Sequence, residues 1–322
     1  MTTPATPEIP TYLSRLPQKR LLYAVDTYFR ESFEDLTRVA DLSTERFCHD
    51  HALLLLKPDA VVARRLGAVL RWVIASGFTI VCADVVTIDR HGIRALWQYG
   101  LNAASRDRRD AADLYVTASD CLLLILALPG RPRAATLVLS EAKGPADPVG
   151  CRPGQLRHDI GSFNYQLNLV HTADEPADLL RELAVLCDHE TRLTLYRRTL
   201  AGRDHTAEAF ALVRRLEEAT PAVDLRIERT LDDLASAAVG IATHPAGKAR
   251  IGDPPGPWPE LMALIGCIRA GESRDWRRLV RLAEECGVPV SRWQRIVLAT
   301  HLLDPYVPGA TSLLPDSSST AA

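Results

Sequence analysis

The chain has 322 residues and a formal net charge of −2, from 38 Lys and Arg against 40 Asp and Glu. This balance gives no overall attraction to nucleic acid or to an anionic membrane surface, and no apolar run reaches the length of a membrane span. The seven cysteines form neither a CxxC motif nor a zinc-ligand spacing, so we expect reduced thiols in a cytoplasmic protein.

The N-terminal part, residues 1–50, predicts a helical extension. Residues 1–10 are rich in Thr and Pro and predict a frayed tail, without the apolar stretch of a secretion signal. Apolar positions at helical spacing, such as Leu22, Val25 and Phe29, predict helices over 12–48.

Residues 51–190 alternate between apolar runs and amphipathic stretches. Four segments predict strands: 51–56 (HALLLL), 78–88 (FTIVCADVVTI), 121–128 (CLLLILAL) and 163–171. The main predicted helices lie over 59–75, 90–102 and 175–188, and a short helix and a Pro- and Gly-rich loop fill 130–157. Asp59 is the expected N-cap of the first helix, and Gly77 ends it as a C′ residue. This order predicts a split βαβ arrangement with one antiparallel sheet.

From residue 191 onward the pattern predicts helices and no strand. A Pro- and Gly-rich stretch at 252–259 has the composition of a linker, and 259–302 predicts three short helices with Trp276 and Trp293 as core anchors. The alternative for these helices is a partner-binding module. Residues 309–322 predict a frayed tail, so the chain divides into 1–50, 51–190 and 191–322.

A histidine and a glutamate near the end of the second part form a candidate catalytic pair. His171 ends the fourth predicted strand, and Glu182 lies eleven residues further on the following helix. A carboxylate that accepts a hydrogen bond from one imidazole nitrogen fixes the tautomer and raises the basicity of the other nitrogen. The alternative is a core or surface histidine beside a helix with an exposed glutamate.

Three further polar residues lie near the ends of predicted strands. Lys57 ends the first strand, where a buried ammonium must meet an anion, pair with Asp59 or reach water. Arg157 precedes the last strand and could equally be a surface guanidinium. Asn168 lies three residues before His171, so a bend is needed for both side chains to line one cleft.

Four segments in this order resemble the nucleoside diphosphate kinase family: LLLLKPDAV, IASGFTIVCADVV, GPADPVGCRPGQLRHDI and NLVHTADEPADLLREL. The resemblance covers residues 51–190 and implies an α+β fold, a ferredoxin-like α/β sandwich. It also implies that the nucleophile, His171, takes the γ-phosphoryl group of ATP, supplied with Mg²⁺, and passes it to a nucleoside diphosphate.

The resemblance assigns each candidate residue a role. Glu182 would orient the histidine, Lys57 and Arg157 would clamp phosphates, and Asn168 would contact the sugar or phosphate. Trp97 stands where the family has a tyrosine on its nucleotide-cleft helix. A nucleotide partner and a possible homo-oligomer follow from the same resemblance, whereas membrane and nucleic-acid partners are not expected.

The chain also departs from the family pattern. An arginine expected near Leu137 is missing, with Arg131, Arg133, Lys143 and Arg152 as possible replacements. The Gly-Ser after the histidine is Thr172-Ala173, and no base-stacking phenylalanine is recognisable. Three functions therefore stay open: a phosphotransferase with a phosphohistidine and a usual or atypical acceptor, an inactive nucleotide-binding or scaffold protein, and a fold recruited to another reaction in specialised metabolism.

Overall fold

A computed structural model describes residues 8–243 and 257–314, and side chains of all these except residues 242 and 243. The strands are β1 (His51–Leu56), β2 (Thr79–Val86), β3 (Cys121–Ala127) and β4 (Val170–Thr172). The helices are α1 (Pro17–Val25), α2 (Thr27–Ala40), α3 (Thr44–Asp50), α4 (Pro58–Val62), α5 (Leu66–Ala75), α6 (Arg90–Leu96), α7 (Gln98–Leu101), α8 (Arg106–Val116), α9 (Ala135–Lys143), α10 (Leu156–Asp159), α11 (Pro176–Leu186), α12 (His189–Leu200), α13 (Thr206–Ala219), α14 (Ile227–Thr243), α15 (Trp258–Arg269), α16 (Trp276–Glu285) and α17 (Arg292–Leu302).

The strands form one antiparallel sheet in the order β2-β3-β1-β4. Successive leucines of β1 point to opposite faces, so Leu53 and Leu55 enter one core cluster and Leu54 and Leu56 the other. Both faces are covered by helices, which explains why β3 and residues 52–56 of β1 are apolar. The predicted ferredoxin-like antiparallel fold is confirmed.

Helices from outside the predicted central part complete both cores. On one face, Phe29 and Leu36 of α2 join the cluster that contains α11. On the other face, Val213 and Leu216 of α13 join the cluster that contains α5. The backbone N–H of His205, just before α13, also donates to the carbonyl of Ile80 in β2 at 2.7 Å. The extensions are therefore continuous with the sheet core.

The predicted helix over 59–75 is two helices, and Asp59 is not its N-cap. Lys57 is the N-cap of α4, and Asp59 lies buried inside that helix. Arg64, with φ of 57°, separates α4 from α5. The carboxylate of Asp59 accepts the backbone N–H of Leu169 at 2.8 Å instead of capping its own helix. Gly77 follows α5 with φ of 84°, as predicted for a C′ residue.

Three other segments differ from what their sequences predict. The helix expected over 90–102 is divided into α6 and α7. The DRRD run at 107–110, whose charged composition predicts a solvated loop, lies in α8. Ser105 caps α8 by accepting the N–H of Arg108 at 3.0 Å. The fourth strand is only Val170–Thr172, because residues 163–169 turn around the side chain of Asn164.

The C-terminal region forms helices, as predicted, with Trp276 buried and Trp293 partly buried. Residues 309–314 are not a frayed tail: Leu314 is buried, and its N–H donates to the carbonyl of Tyr99 at 3.4 Å. Most of the predicted linker and of the two predicted tails lies outside the described residues. The division into three parts stays a prediction, and α12 crosses its second boundary. No helix in 8–243 or 257–314 is long and apolar enough to cross a membrane.

Candidate active site

One cleft of about 760 Å³ brings together the side chains that the sequence analysis selected. Five of the six predicted residues line it: Lys57, Trp97, Arg157, Asn168 and His171. The sixth, Glu182, lies directly behind the imidazole of His171. The walls of the cleft are α8 on one side and α9 with the following loop on the other.

The pair of His171 and Glu182 is rigidly placed. His171 is the middle residue of β4 and faces Leu55 of β1 in the antiparallel register. Glu182 lies on α11, whose first turn is fixed by a capping box between Glu175 and Asp178. Imidazole Nε2 lies 2.9 Å from Glu182 Oε2, and the histidine side chain is 17% exposed.

The hydrogen bond with Glu182 determines which imidazole nitrogen keeps its lone pair. An ionised carboxylate only accepts, so Nε2 carries the proton and Nδ1 keeps its lone pair. Burial raises the pKa of Glu182, and the neighbouring His171 opposes this rise. The indole N–H of Trp97 approaches Nδ1 only to 3.5 Å, at the outer limit of a hydrogen bond. Because His171 lines the cleft, Nδ1 is the imidazole nitrogen that keeps a lone pair there, with this long contact from Trp97.

Lys57 is a buried cation at the end of β1. Its ammonium donates to the carbonyl of Gln166 at 2.8 Å, lies 3.6 Å from the carboxylate of Asp59, and sits 5.0 Å from the ring centre of Tyr115. Burial lowers the pKa of Lys57 to about 8, although Asp59 acts in the opposite direction. Pairing with Asp59, one of the alternatives for this lysine, is thus present, and Lys57 also lines the cleft.

Arg157 is buried and forms no ion pair with a carboxylate in the described part of the chain, although the charges of Asp174 and Asp59 act on it from farther away. Its two terminal nitrogens donate to the carbonyls of Gly144 at 3.0 Å and Val170 at 2.8 Å. Its Nε is buried with no partner in the structure, and burial lowers its pKa to about 10. A buried cation held only by carbonyl dipoles is a favourable place for an anionic ligand.

The bend that the sequence required between Asn168 and His171 is Leu169. Leu169 has φ of 72°, a left-handed conformation that is costly for a residue with a branched side chain. Asp59 accepts its N–H at 2.8 Å, and its carbonyl accepts the N–H of Lys57 at 3.0 Å. Leu169 thereby allows the side chains of Asn168 and His171 to line the same cleft.

The cleft holds more positive charge than the sequence analysis selected. Leu137 lines it where the family arginine is missing, and three of the four possible replacements also line it, whereas Arg131 does not. The cationic lining residues are Arg15, Lys57, Arg108, Arg133, Lys143, Arg152 and Arg157, and the acidic ones are Glu141 and Asp174. Seven cations against two acids, in a chain of net charge −2, focus a positive potential on this site.

Arg108 and Tyr165 form an aromatic end of the cleft that the sequence analysis missed. The guanidinium of Arg108 lies 4.9 Å from the ring centre of Tyr165 and 5.0 Å from that of Tyr306. The hydroxyls of Tyr165 and Tyr306 are 2.8 Å apart. No periodicity connects residues so far apart in sequence, so only the fold could reveal this cluster.

Fold and cleft together define a ferredoxin-like α/β-sandwich protein with a basic cleft around a histidine–glutamate pair. A family model described as "Nucleoside diphosphate kinase" matches residues 50–191. Similar proteins named nucleoside diphosphate kinase include that of Nocardioides sp., 32% identical over 133 residues (41% of this chain, 93% of the relative), and that of Frankia alni, 31% identical over 134 residues (42% and 92%). The chain belongs to the nucleoside diphosphate kinase family.

A solved structure also resembles the chain. The NDP kinase from Pyrobaculum aerophilum is 20% identical, with a TM-score of 0.38, over 44% of this chain and 97% of that one. The family match spans the sheet and the cleft residues other than Arg15. Most of the N-terminal helices and all of α13 to α17 lie outside the matched residues.

Proposed function

We propose that the protein is a phosphotransferase that moves the γ-phosphoryl group of ATP to His171 and then to an acceptor. The observation that carries this proposal is the geometry of His171, whose Nε2 is bound to the buried Glu182 while Nδ1 opens into a cationic cleft. The acceptor that the family suggests is a nucleoside diphosphate.

The proposed reaction has two half-steps. The lone pair of Nδ1 forms a bond to the γ-phosphorus, and the bond from that phosphorus to the β–γ bridging oxygen breaks, so ADP leaves with the electron pair. The Nε2 proton stays in its hydrogen bond with Glu182, whose charge stabilises the imidazole as it becomes positive. A terminal phosphate oxygen of the acceptor then forms a bond to phosphorus, and the electron pair of the N–P bond returns to Nδ1.

The neighbouring residues would position and neutralise the phosphates. Phosphoryl transfer depends mainly on alignment and on stabilising the charge of the moving oxygens. Lys57 and Arg157 are the proposed clamps, since both line the cleft and the guanidinium of Arg157 donates to carbonyl oxygens rather than to a carboxylate. Asn168 would contact the sugar or a phosphate, and Trp97 would lie against the nucleotide beside the reactive Nδ1.

Magnesium would enter as part of the Mg²⁺–ATP substrate, where it neutralises charge on the phosphates. In the described ranges, no group of three or more His, Cys, Asp or Glu side chains could hold a metal ion. The two cleft acids are already paired, Asp174 with Lys143 at 3.4 Å and Glu141 with Arg133 at 2.7 Å. This lining suits Mg²⁺ that is held mainly by phosphates and water.

A second candidate is a protein that binds nucleotide without transferring phosphate. It is supported by Leu137, which lines the cleft where the family has an arginine, and by Ala173, which lacks the hydroxyl of the family serine. A homo-oligomer and an atypical acceptor also stay predictions.

Incubation with γ-labelled ATP separates the two candidates. We expect an acid-labile, base-stable label on the full chain, its loss in His171→Ala and its retention in His158→Ala. His158 is a suitable control because it also lies beside an acid, Asp159 at 3.1 Å, but does not line the cleft. Nucleotide binding without any label would support the second candidate instead. Chasing the labelled protein with different nucleoside diphosphates then identifies the acceptor.

A further inference from the structure

The lysines of this chain are unusual in being buried. The sequence has only four, and the three in the described residues, Lys19, Lys57 and Lys143, are 6%, 2% and 7% exposed. Lysine is almost never buried without a partner or a role. Lys19 joins α1 to α11 through Asp178 at 2.7 Å, and Lys57 belongs to the proposed phosphate site. Lys143 is the buried lysine whose role is unassigned.

Lys143 lies next to the reactive histidine. It is the last residue of α9, and its ammonium donates to the hydroxyl of Thr172, the residue after His171, at 2.7 Å. It also lies 3.4 Å from the carboxylate of Asp174 and lines the cleft. Its neighbour Gly144 has φ of 85° and provides the carbonyl that binds Arg157, so the two cations are positioned by one turn.

The contacts of Lys143 leave part of its charge available to a ligand. An ammonium has three N–H donors. Thr172 takes one at short distance, whereas the contact with Asp174 is long and that carboxylate also accepts from Ser140 at 2.7 Å. A phosphate oxygen in the cleft would meet the remaining donor and could replace the long contact. Leu137, six residues earlier on the same helix, offers no such donor.

We propose that Lys143 is a third phosphate-binding cation of the transfer site, donating from Nζ to an oxygen of the phosphoryl group that moves to His171. Lys143, at the end of α9, provides the positive charge that Leu137 lacks. The role of Lys143 in phosphoryl transfer rests on the proposed function. Its role in binding requires only that a nucleoside triphosphate occupies the cleft.

The test compares Lys143→Met, Lys143→Arg and Lys19→Met in the full chain. In single-turnover labelling with γ-labelled ATP, we expect Lys143→Met to slow the labelling of His171 by roughly 10²- to 10³-fold, as for the loss of one transition-state donor. Lys143→Arg should recover much of the rate because it keeps the charge. Lys19→Met removes another buried lysine–carboxylate pair and should lower the melting temperature without slowing the labelling of folded protein.

Equilibrium binding provides a readout that does not depend on chemistry. Lys143→Met should bind ATP roughly 10- to 100-fold more weakly, as for a lost charged hydrogen bond, with unchanged affinity for AMP. If Lys143→Met fails to fold, the pair Lys143→Met with Asp174→Asn removes both charges and should show the same two losses relative to Asp174→Asn alone.

The outcomes distinguish the two proposals. Wild-type rate and ATP affinity in Lys143→Met would overturn the assignment of Lys143. An unlabelled wild type whose ATP affinity still depends on Lys143 would refute the phosphotransferase and keep Lys143 as a phosphate-binding residue. Equal losses of ATP and AMP affinity would show a structural role only, and would also overturn the assignment.

Discussion

Replacing Glu182 with glutamine should separate catalysis from stability. Glutamine keeps the shape and the acceptor oxygen 2.9 Å from Nε2 but removes the charge that faces the imidazole as it becomes positive. A hydrogen bond to a charged group contributes about 1.5–3 kcal/mol, so we expect labelling of His171 to slow by roughly 10- to 150-fold. A charge pair about 4 Å apart near a protein surface interacts by about 4 kcal/mol, which sets the upper limit.

The same substitution should not destabilise the fold. Burial raises the pKa of Glu182 above its ordinary value, so the folded state holds the carboxyl proton more tightly than the unfolded state does. The ionised carboxylate therefore costs stability above the raised pKa, and this cost disappears as pH falls below the ordinary value. At neutral pH, Glu182→Gln should melt at or above the temperature of the wild type, whereas most substitutions at buried sites lower it.

Single-turnover labelling and thermal melts of the same preparations test this reasoning. Glu141→Gln is the matched control, because Glu141 also lines the cleft but forms an exposed ion pair with Arg133 that contributes little. A Glu182→Gln protein that labels at the wild-type rate would refute the orienting role of the carboxylate. A large fall in melting temperature would instead show that the charge stabilises the fold.

Two further perturbations probe the ends of the cleft. Because the pKa of Lys57 is lowered to about 8, ATP affinity should fall as pH rises through that value. Stability should rise between about pH 8 and the ordinary pKa of lysine, because the unfolded state holds the extra proton in that range. In Lys57→Arg the change in binding near pH 8 should vanish, and a titration that keeps it would assign the change to another group. Tyr306→Ala removes a ring that lies 5.0 Å from the guanidinium of Arg108. The lost contact, about 0.5–2 kcal/mol, limits the effect on Arg108, so we expect nucleotide binding to weaken by at most roughly 30-fold. Labelling at saturating ATP should be unchanged, and equal loss of binding and maximal rate would contradict a role limited to positioning Arg108.

Local sequence patterns predicted the parts of the molecule that short-range physics determines. HALLLL and CLLLILAL predicted buried strands, which the structure contains, and the spacing of His171 and Glu182 fits a strand that passes into a capped helix. The family resemblance then connected Lys57 and Arg157, which are 100 residues apart, with the histidine. The cleft unites these residues as expected.

The features that escaped prediction depend on long-range contacts. The left-handed conformation of Leu169 is maintained by Asp59, 110 residues away, so no local rule indicates it. The polar composition of DRRD suggested a loop, but α8 forms because its inner side buries Ala111 and Ala112. The rarity of lysine in the sequence singles out Lys143, but composition does not show that this residue lies near His171.

The placement of α13 on the second core has a consequence for how this chain could be shortened. Val213 and Leu216 belong to the same core cluster as Val69 and Val73 of α5, on one face of the sheet. A fragment trimmed to 50–191 would present that face to water and invite association between fragments. The appended helices thus belong to the same core, and we expect a fragment of residues 50–191 to be less stable than the full chain or to self-associate.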